Sequence, residues 1–171
     1  MKVDFEALYR DHYRRVFGLC RRLLGRTAQA EDATQEVFVR AYRALDRYDT
    51  HQPFAAWILS IASNHCVDLL RTRARDGKLF GDVDVEIGEL ESSAQAPLDT
   101  LVDAERAAEI QAAIAALPDK YRLPIVLAYY NESSYDDIAH VLGIDRNHAG
   151  VLLLRAKQML RRSLTATQEE S

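Results

Sequence analysis

The stretch Ser134–Arg162 reads SYDDIAHVLGIDRNHAGVLLLRAKQMLRR, and its pattern is that of two helices joined by a tight turn. Ile138, Ala139, Val141 and Leu142 recur at helical spacing. Ser134, with Asp137 three residues on, forms a variant of the capping box that opens a helix. Gly143 follows the last periodic residue, where a left-handed backbone closes a helix and glycine adopts it at least cost. Asp145 is placed to cap the next helix, and Val151, Leu152, Leu154, Ala156, Met159 and Leu160 give that helix an apolar surface up to about Arg162. A turn of roughly 3–4 residues between two such helices is the unit that lays its second helix in a DNA major groove. An ordinary helical hairpin has the same local pattern.

Outward from this stretch, the 171 residues suffice for one or two small domains, and 48% hydrophobic content supports real cores. Uncharged apolar runs are far shorter than the roughly 20 residues of a membrane span. The start, MKVDFEALYRD, carries charges where a signal peptide needs an apolar run, so a cytoplasmic protein is expected. The two cysteines, Cys20 and Cys66, lie in no Cys-x-x-Cys or Cys/His cluster, and Cys20 falls in an apolar helical series. No zinc site, disulfide framework, nucleophile–base pair or phosphate loop is legible. We therefore expect neither cofactor nor enzymatic activity.

The net charge of −4 is unevenly distributed. Residues 1–75 carry thirteen Lys or Arg against nine Asp or Glu, and residues 118–164 carry seven against five. Between them, Asp76–Glu105 carries nine acids and one base, Lys78, together with three of the seven glycines. This middle reads as an acidic, flexible tether. The expected architecture is all-α: a helical domain over 1–75, a linker over 76–100 and a helix–turn–helix domain over 101–171.

The first domain reads as three helices, over residues 4–24, 30–45 and 53–73. In the second, Ala33, Val37, Ala41 and Leu45 share one face, while Asp32, Gln35, Glu36 and Arg43 share a polar one. In the third, Phe54, Trp57, Ile58, Ile61, His65 and Leu69 form a stripe, and Pro53 suits the helix start. Arg71, Arg73 and Arg75 end it with a basic cluster that suits phosphates as well as the helix's negative end. In the last domain, a helix near Leu101–Leu117 precedes one starting at Pro118, where Pro124 is tolerable within a first turn.

The segments AEDATQEVFVRAYRAL (30–45), FAAWILSIASNHCVDLLR (54–71) and LPDKYRLPIVLAYYNESSYDDIAHVLGI (117–144) resemble the extracytoplasmic-function sigma factors, the smallest members of the bacterial sigma-70 family. The resemblance covers essentially the whole chain in order and spacing. It implies that Asp32, Gln35, Glu36 and Arg40 dock on the largest subunit of RNA polymerase core. It implies that Tyr48, Asp49, Thr50, His51 and Gln52, with Asn64, capture a flipped base of the minus-ten promoter element, and that Arg71, Arg73 and Arg75 hold phosphates nearby. Phe54 and Trp57 fit core positions better than stacking platforms. For the minus-thirty-five element the implied set is Ser134, Tyr135, Arg146, Asn147, His148, Arg155 and Lys157. An anti-sigma factor is a possible partner of such proteins. The polar ending TATQEES leads us to expect regulation through a partner, not a fused sensor.

Departures from the family pattern carry their own expectation. Where relatives commonly place a Lys and an Arg early in the recognition helix, this chain has Gly150 and Leu152, and Asn147–Leu154 holds no full charge. Ser60 and Ser63 stand at positions of the third helix that are often Arg. Weak minus-thirty-five recognition and a reduced phosphate grip follow. Two other classes share parts of the pattern. A free helix–turn–helix regulator would bind duplex DNA without polymerase; a sigma-like interaction protein would bind core without transcription.

Overall fold

The computed structural model describes residues 3–74 and 104–170, all of whose regular structure is helical. The chain divides into two compact units, one up to Gly77 and one from Lys78 onward. The acidic stretch over 76–100 and Arg75 lie outside the described residues.

In the first unit, α1 (Phe5–Leu24), α2 (Thr27–Arg43) and α3 (Phe54–Arg73) pack against one another pairwise. Asp4 caps α1 by accepting the backbone N–H of Ala7, and Gly25 ends it at φ 82°, the left-handed geometry that lets α2 turn back. The core joins Val16, Leu19, Cys20 and Leu23 of α1 to Ala30, Ala33, Val37 and Ala41 of α2, and to Ile58, Leu59, Ala62, Cys66, Val67 and Leu70 of α3. Leu69, expected in the buried stripe, is 38% exposed. The buried face of α3 is broad and centres on the neighbouring Cys66 and Leu70, so Leu69 falls just past its edge. The segment expected as one helix over 30–45 starts earlier, at Thr27, and closes in a separate 3₁₀ turn, Leu45–Arg47.

The second unit holds α4 (Ala104–Ala115), α5 (Asp119–Tyr129), α6 (Tyr135–Leu142) and α7 (Arg146–Glu169), with α7 touching the other three. Ser134 accepts the Asp137 N–H at 3.1 Å and Asp145 accepts the His148 N–H at 2.7 Å, so both expected caps form. Gly143 closes α6 at φ 67°. Pro124 lies in the second turn of α5, not the first: the helix begins at Asp119, and burial of Pro124 among the unit's core residues holds it there despite the missing donor. The guanidinium of Arg122, 7% exposed, is satisfied by the Leu117 carbonyl at 3.0 Å and by an ion pair with Asp119. Helix α7 runs seven residues beyond the expected end at Arg162.

Candidate functional site

The exposed side of α2 carries the first candidate surface. Helix α2 buries Ala33, Thr34, Val37, Phe38 and Ala41, which leaves the opposite side to face outward. Asp32, Gln35 and Arg40 are exposed, and Glu36 is half-buried. Arg40 donates to Glu36 at 3.0 Å, one helical turn away, and this bond holds the Glu36 carboxyl below its usual range. The same 3.6-residue period passes on through Val39 and Tyr42, which are 42% and 65% exposed. They line a shallow groove with Phe5, Tyr9, Gln35, Phe38 and Arg43. The sequence reading assigned only the polar members of this face, although extending their period would have reached Val39 and Tyr42.

On the other side of α2, a cleft is lined by Gln29, Asp32, Glu36, His65, Leu69 and Arg73. His65 is 8% exposed, and burial, then Arg40, push its pKa below the ordinary histidine value. Arg73 donates to Gln29, and Arg71 pairs with Asp68 at 3.4 Å. Both arginines of the cluster that lie among the described residues are thus held within the unit.

The loop before α3 is closed on itself. Asp49 accepts the His51 N–H at 2.9 Å, and the Tyr48 hydroxyl donates to the Gln52 carbonyl. The Tyr48 ring sits 4.8 Å from Trp57 and 5.5 Å from Phe54, centroid to centroid. Phe54 is buried, as expected of a core residue, whereas Trp57 is only half-buried, and Asp49, Thr50, His51 and Gln52 stand exposed. Asn64 is also exposed, one helical turn from Ser60, whose carbonyl it engages at 2.9 Å. Ser60 is exposed, but Ser63 is 1% exposed and donates to the Leu59 carbonyl. Ser63 is therefore a core position, and its hydroxyl does not face a ligand.

The start of α7 buries Val151 and Leu152 as the apolar pattern expects, and departs from it at Leu154. Residues Ala149 to Leu153 are all buried. Leu152 is 0% exposed and Gly150 is buried, so neither presents a side chain toward a groove. Leu154, expected to be part of the apolar surface, is 45% exposed. The cause is the packing of α7 against three helices, which wraps its apolar surface around most of this turn and leaves Leu154 outside. Arg146 and Asn147 are exposed, with Arg146 near Asp136 at 3.5 Å. His148 is half-buried, and its Nε2 is enclosed without a hydrogen-bond partner. Arg155 is half-buried, and Lys157 lies over the Tyr129 ring at 5.7 Å. Ser134 is engaged as a cap, and Tyr135 is half-buried beside it.

The chain folds as two helical units, the second a helix–turn–helix, and a family model matches each. Residues 8–76 match Sigma-70 region 2, and residues 107–160 match Sigma-70, region 4. The chain is 34% identical to the ECF RNA polymerase sigma factor SigW of Bacillus subtilis over 95% of this chain and 88% of that protein. It is 31% identical to the ECF RNA polymerase sigma factor SigE of Mycolicibacterium smegmatis over 98% of this chain and 64% of that one. In fold it is similar to the sigma factor RpoE solved with the anti-sigma factor NepR from Bartonella quintana, with a TM-score of 0.63 and 21% identity over 95% of this chain and 97% of that one. The chain belongs to the extracytoplasmic-function sigma factors of the sigma-70 family. Among the described residues, no helix is long and apolar enough to cross a membrane, and no group of metal-ligating side chains occurs.

Proposed function

We propose that this sigma factor works as a non-enzymatic, cytoplasmic initiation factor, with residues 1–75 docking on polymerase and opening the minus-ten element. Residues 76–100 act as an acidic connector, and residues 101–171 read the minus-thirty-five element. The observation that carries the reading is the outward face of α2. There Asp32, Gln35 and the Glu36–Arg40 pair are displayed on a rigid helix whose opposite side is fixed by the core. The fixed helix removes the cost of ordering the backbone on docking, and the Glu36–Arg40 bond already restrains two of the side chains.

The loop Tyr48–Gln52 with Asn64 captures a base pulled from the stack. Unstacking costs a few kcal/mol, which a polar loop over an aromatic base offsets. Arg71, Arg73 and Arg75 steady the backbone nearby. In the second unit, Arg146 and Asn147 approach base edges while Arg155 and Lys157 serve phosphates; Asn suits adenine. Minus-thirty-five recognition is weak, because the exposed surface from Asn147 to Leu154 carries no full charge. An anti-sigma factor is a fitting partner, given that the similar RpoE structure holds one.

Run-off transcription with purified bacterial core polymerase, on DNA from upstream of the gene for this chain, tests the reading. Discrete transcripts are expected only when the chain is added, and they should vanish for the combined Asp32→Ala, Gln35→Ala and Glu36→Ala variant. Core binding without transcripts would overturn it in favour of a sigma-like interaction protein; duplex binding without core binding would favour a free regulator.

A further inference from the structure

Helix α1 carries a constellation that none of these roles uses. Gly18 stands in its middle, and the four positions that surround it on a helix surface, three and four residues away in each direction, are Arg14, Arg15, Arg21 and Arg22. Arg14, Arg15 and Arg21 are exposed, and among the described residues no ion pair engages them. Arg22 is half-buried and donates to the Gly18 carbonyl at 3.1 Å. Between Ala7 and Ala30 there are six arginines and a single acid, Asp11. The opposite side of α1 is anchored by Val16, Leu19 and Leu23, each 0% exposed, so the arginine side faces outward.

We propose that this ring binds the phosphodiester backbone of promoter DNA, with Gly18 as the point of closest approach. Glycine is a poor helix former, and in a helix interior it is best explained where another backbone must come near. The ring spans nine residues, whose eight rises make about 12 Å of helix, enough to face about three successive phosphates of one strand at about 3.4 Å of duplex axis each. Guanidinium forks suit phosphate oxygens. Arginine also serves at protein hot spots, so what favours DNA is a patch of one sign with no strongly exposed apolar side chain among its members. The strongly exposed large apolar residues, such as Val39 and Tyr42, lie outside the ring. The proposal rests on the sigma-factor reading only for the identity of the DNA.

The test uses the full chain bound to core polymerase and measures affinity for forked promoter DNA across a salt series. For the combined Arg14→Ala, Arg15→Ala and Arg21→Ala variant, the log–log salt slope should become shallower by about 2–3, nearly one per lost phosphate contact. The matching triple Lys variant should keep most of the slope. Gly18→Gln should raise the melting temperature, since glutamine is the better helix former, yet weaken DNA binding by covering the approach point. Unchanged affinity and slope in the Ala variant would overturn the proposal. So would a loss of core affinity measured without DNA, which would assign the ring to polymerase. If the unaltered chain binds neither core nor promoter, the initiation-factor reading fails instead. The same variants are then compared as free chains on mixed-sequence duplex, where an unchanged slope again overturns the phosphate assignment and a shallower one supports it.

Discussion

The two units use similar helices to opposite effect. In the first, polar side chains of α2 and of the loop before α3 stand outside a closed core, and the family-implied residues Asp32, Gln35 and Asp49 are exposed. In the second, the helix that should face DNA gives its early turns to the interior: five consecutive residues from Ala149 are buried. The contrast teaches that a long helix packed by three neighbours cannot be assigned a groove-facing side from chain order alone.

The largest expected effect breaks the first half of this contrast. Replacing Asp32, Gln35 and Glu36 together by Ala removes a cluster of hydrogen-bonding groups at the centre of the proposed interface. Core binding should weaken by about 100-fold or more, the scale of one or two interface hot spots. All three are surface residues, so the thermal unfolding of the chain should change little. A competition experiment with labelled core that finds equal affinity would remove α2 from the interface.

The second prediction breaks the other half. Leu152→Lys places a charge where there is no exposure, and should destabilise the second unit by about 3–5 kcal/mol. Leu154→Arg, two residues on, should alter stability by only about 0.5 kcal/mol while strengthening salt-dependent binding to the minus-thirty-five element. Denaturant unfolding of both variants compares them directly. If the lysine at 152 is tolerated and improves DNA binding, the inward packing of α7 is wrong.

A smaller effect sharpens the comparison at the turn. Asp145 accepts the His148 N–H and so fixes where α7 begins. Asp145→Ala should cost about 1 kcal/mol. The loss should be confined to the second unit, leaving hydrogen exchange in α1, α2 and α3 as before.

The legibility of each region follows from its chemistry. Helix α2 alternates small apolar residues with charged ones, so Ala33, Val37 and Ala41 mark one face and Asp32 and Gln35 the other. The caps Ser134 and Asp145 and the closing Gly143 were equally plain, because each meets a local backbone need independent of tertiary packing. The run Gly150–Leu154 contains no polar residue, and nothing in its order separates the buried Leu152 from the exposed Leu154. The same holds for Ser63, whose hydroxyl is satisfied by its own helix and so hides in the core. Only the position of neighbouring helices distinguishes these residues.

The smallest effect concerns pH and centres on His65 of the first unit. His65 is packed under α2, where burial and then Arg40 favour its neutral form; Glu36 across the cleft and Asp68 on its own helix offset this in part. Its native pKa therefore lies below the ordinary value of about 6.5 that it has in the unfolded chain. At a pH between the two values the unfolded chain binds more protons than the native one, so native stability rises with pH there. Above about pH 6.5 the full stability is present, and it declines as the pH falls through that value toward the native pKa. Melting curves of the full chain should show the first unit losing stability on acidification through this window. In His65→Gln, which cannot titrate, that part of the dependence should flatten. If His65→Gln retains the whole slope, another group carries it and His65 is not held neutral by its burial.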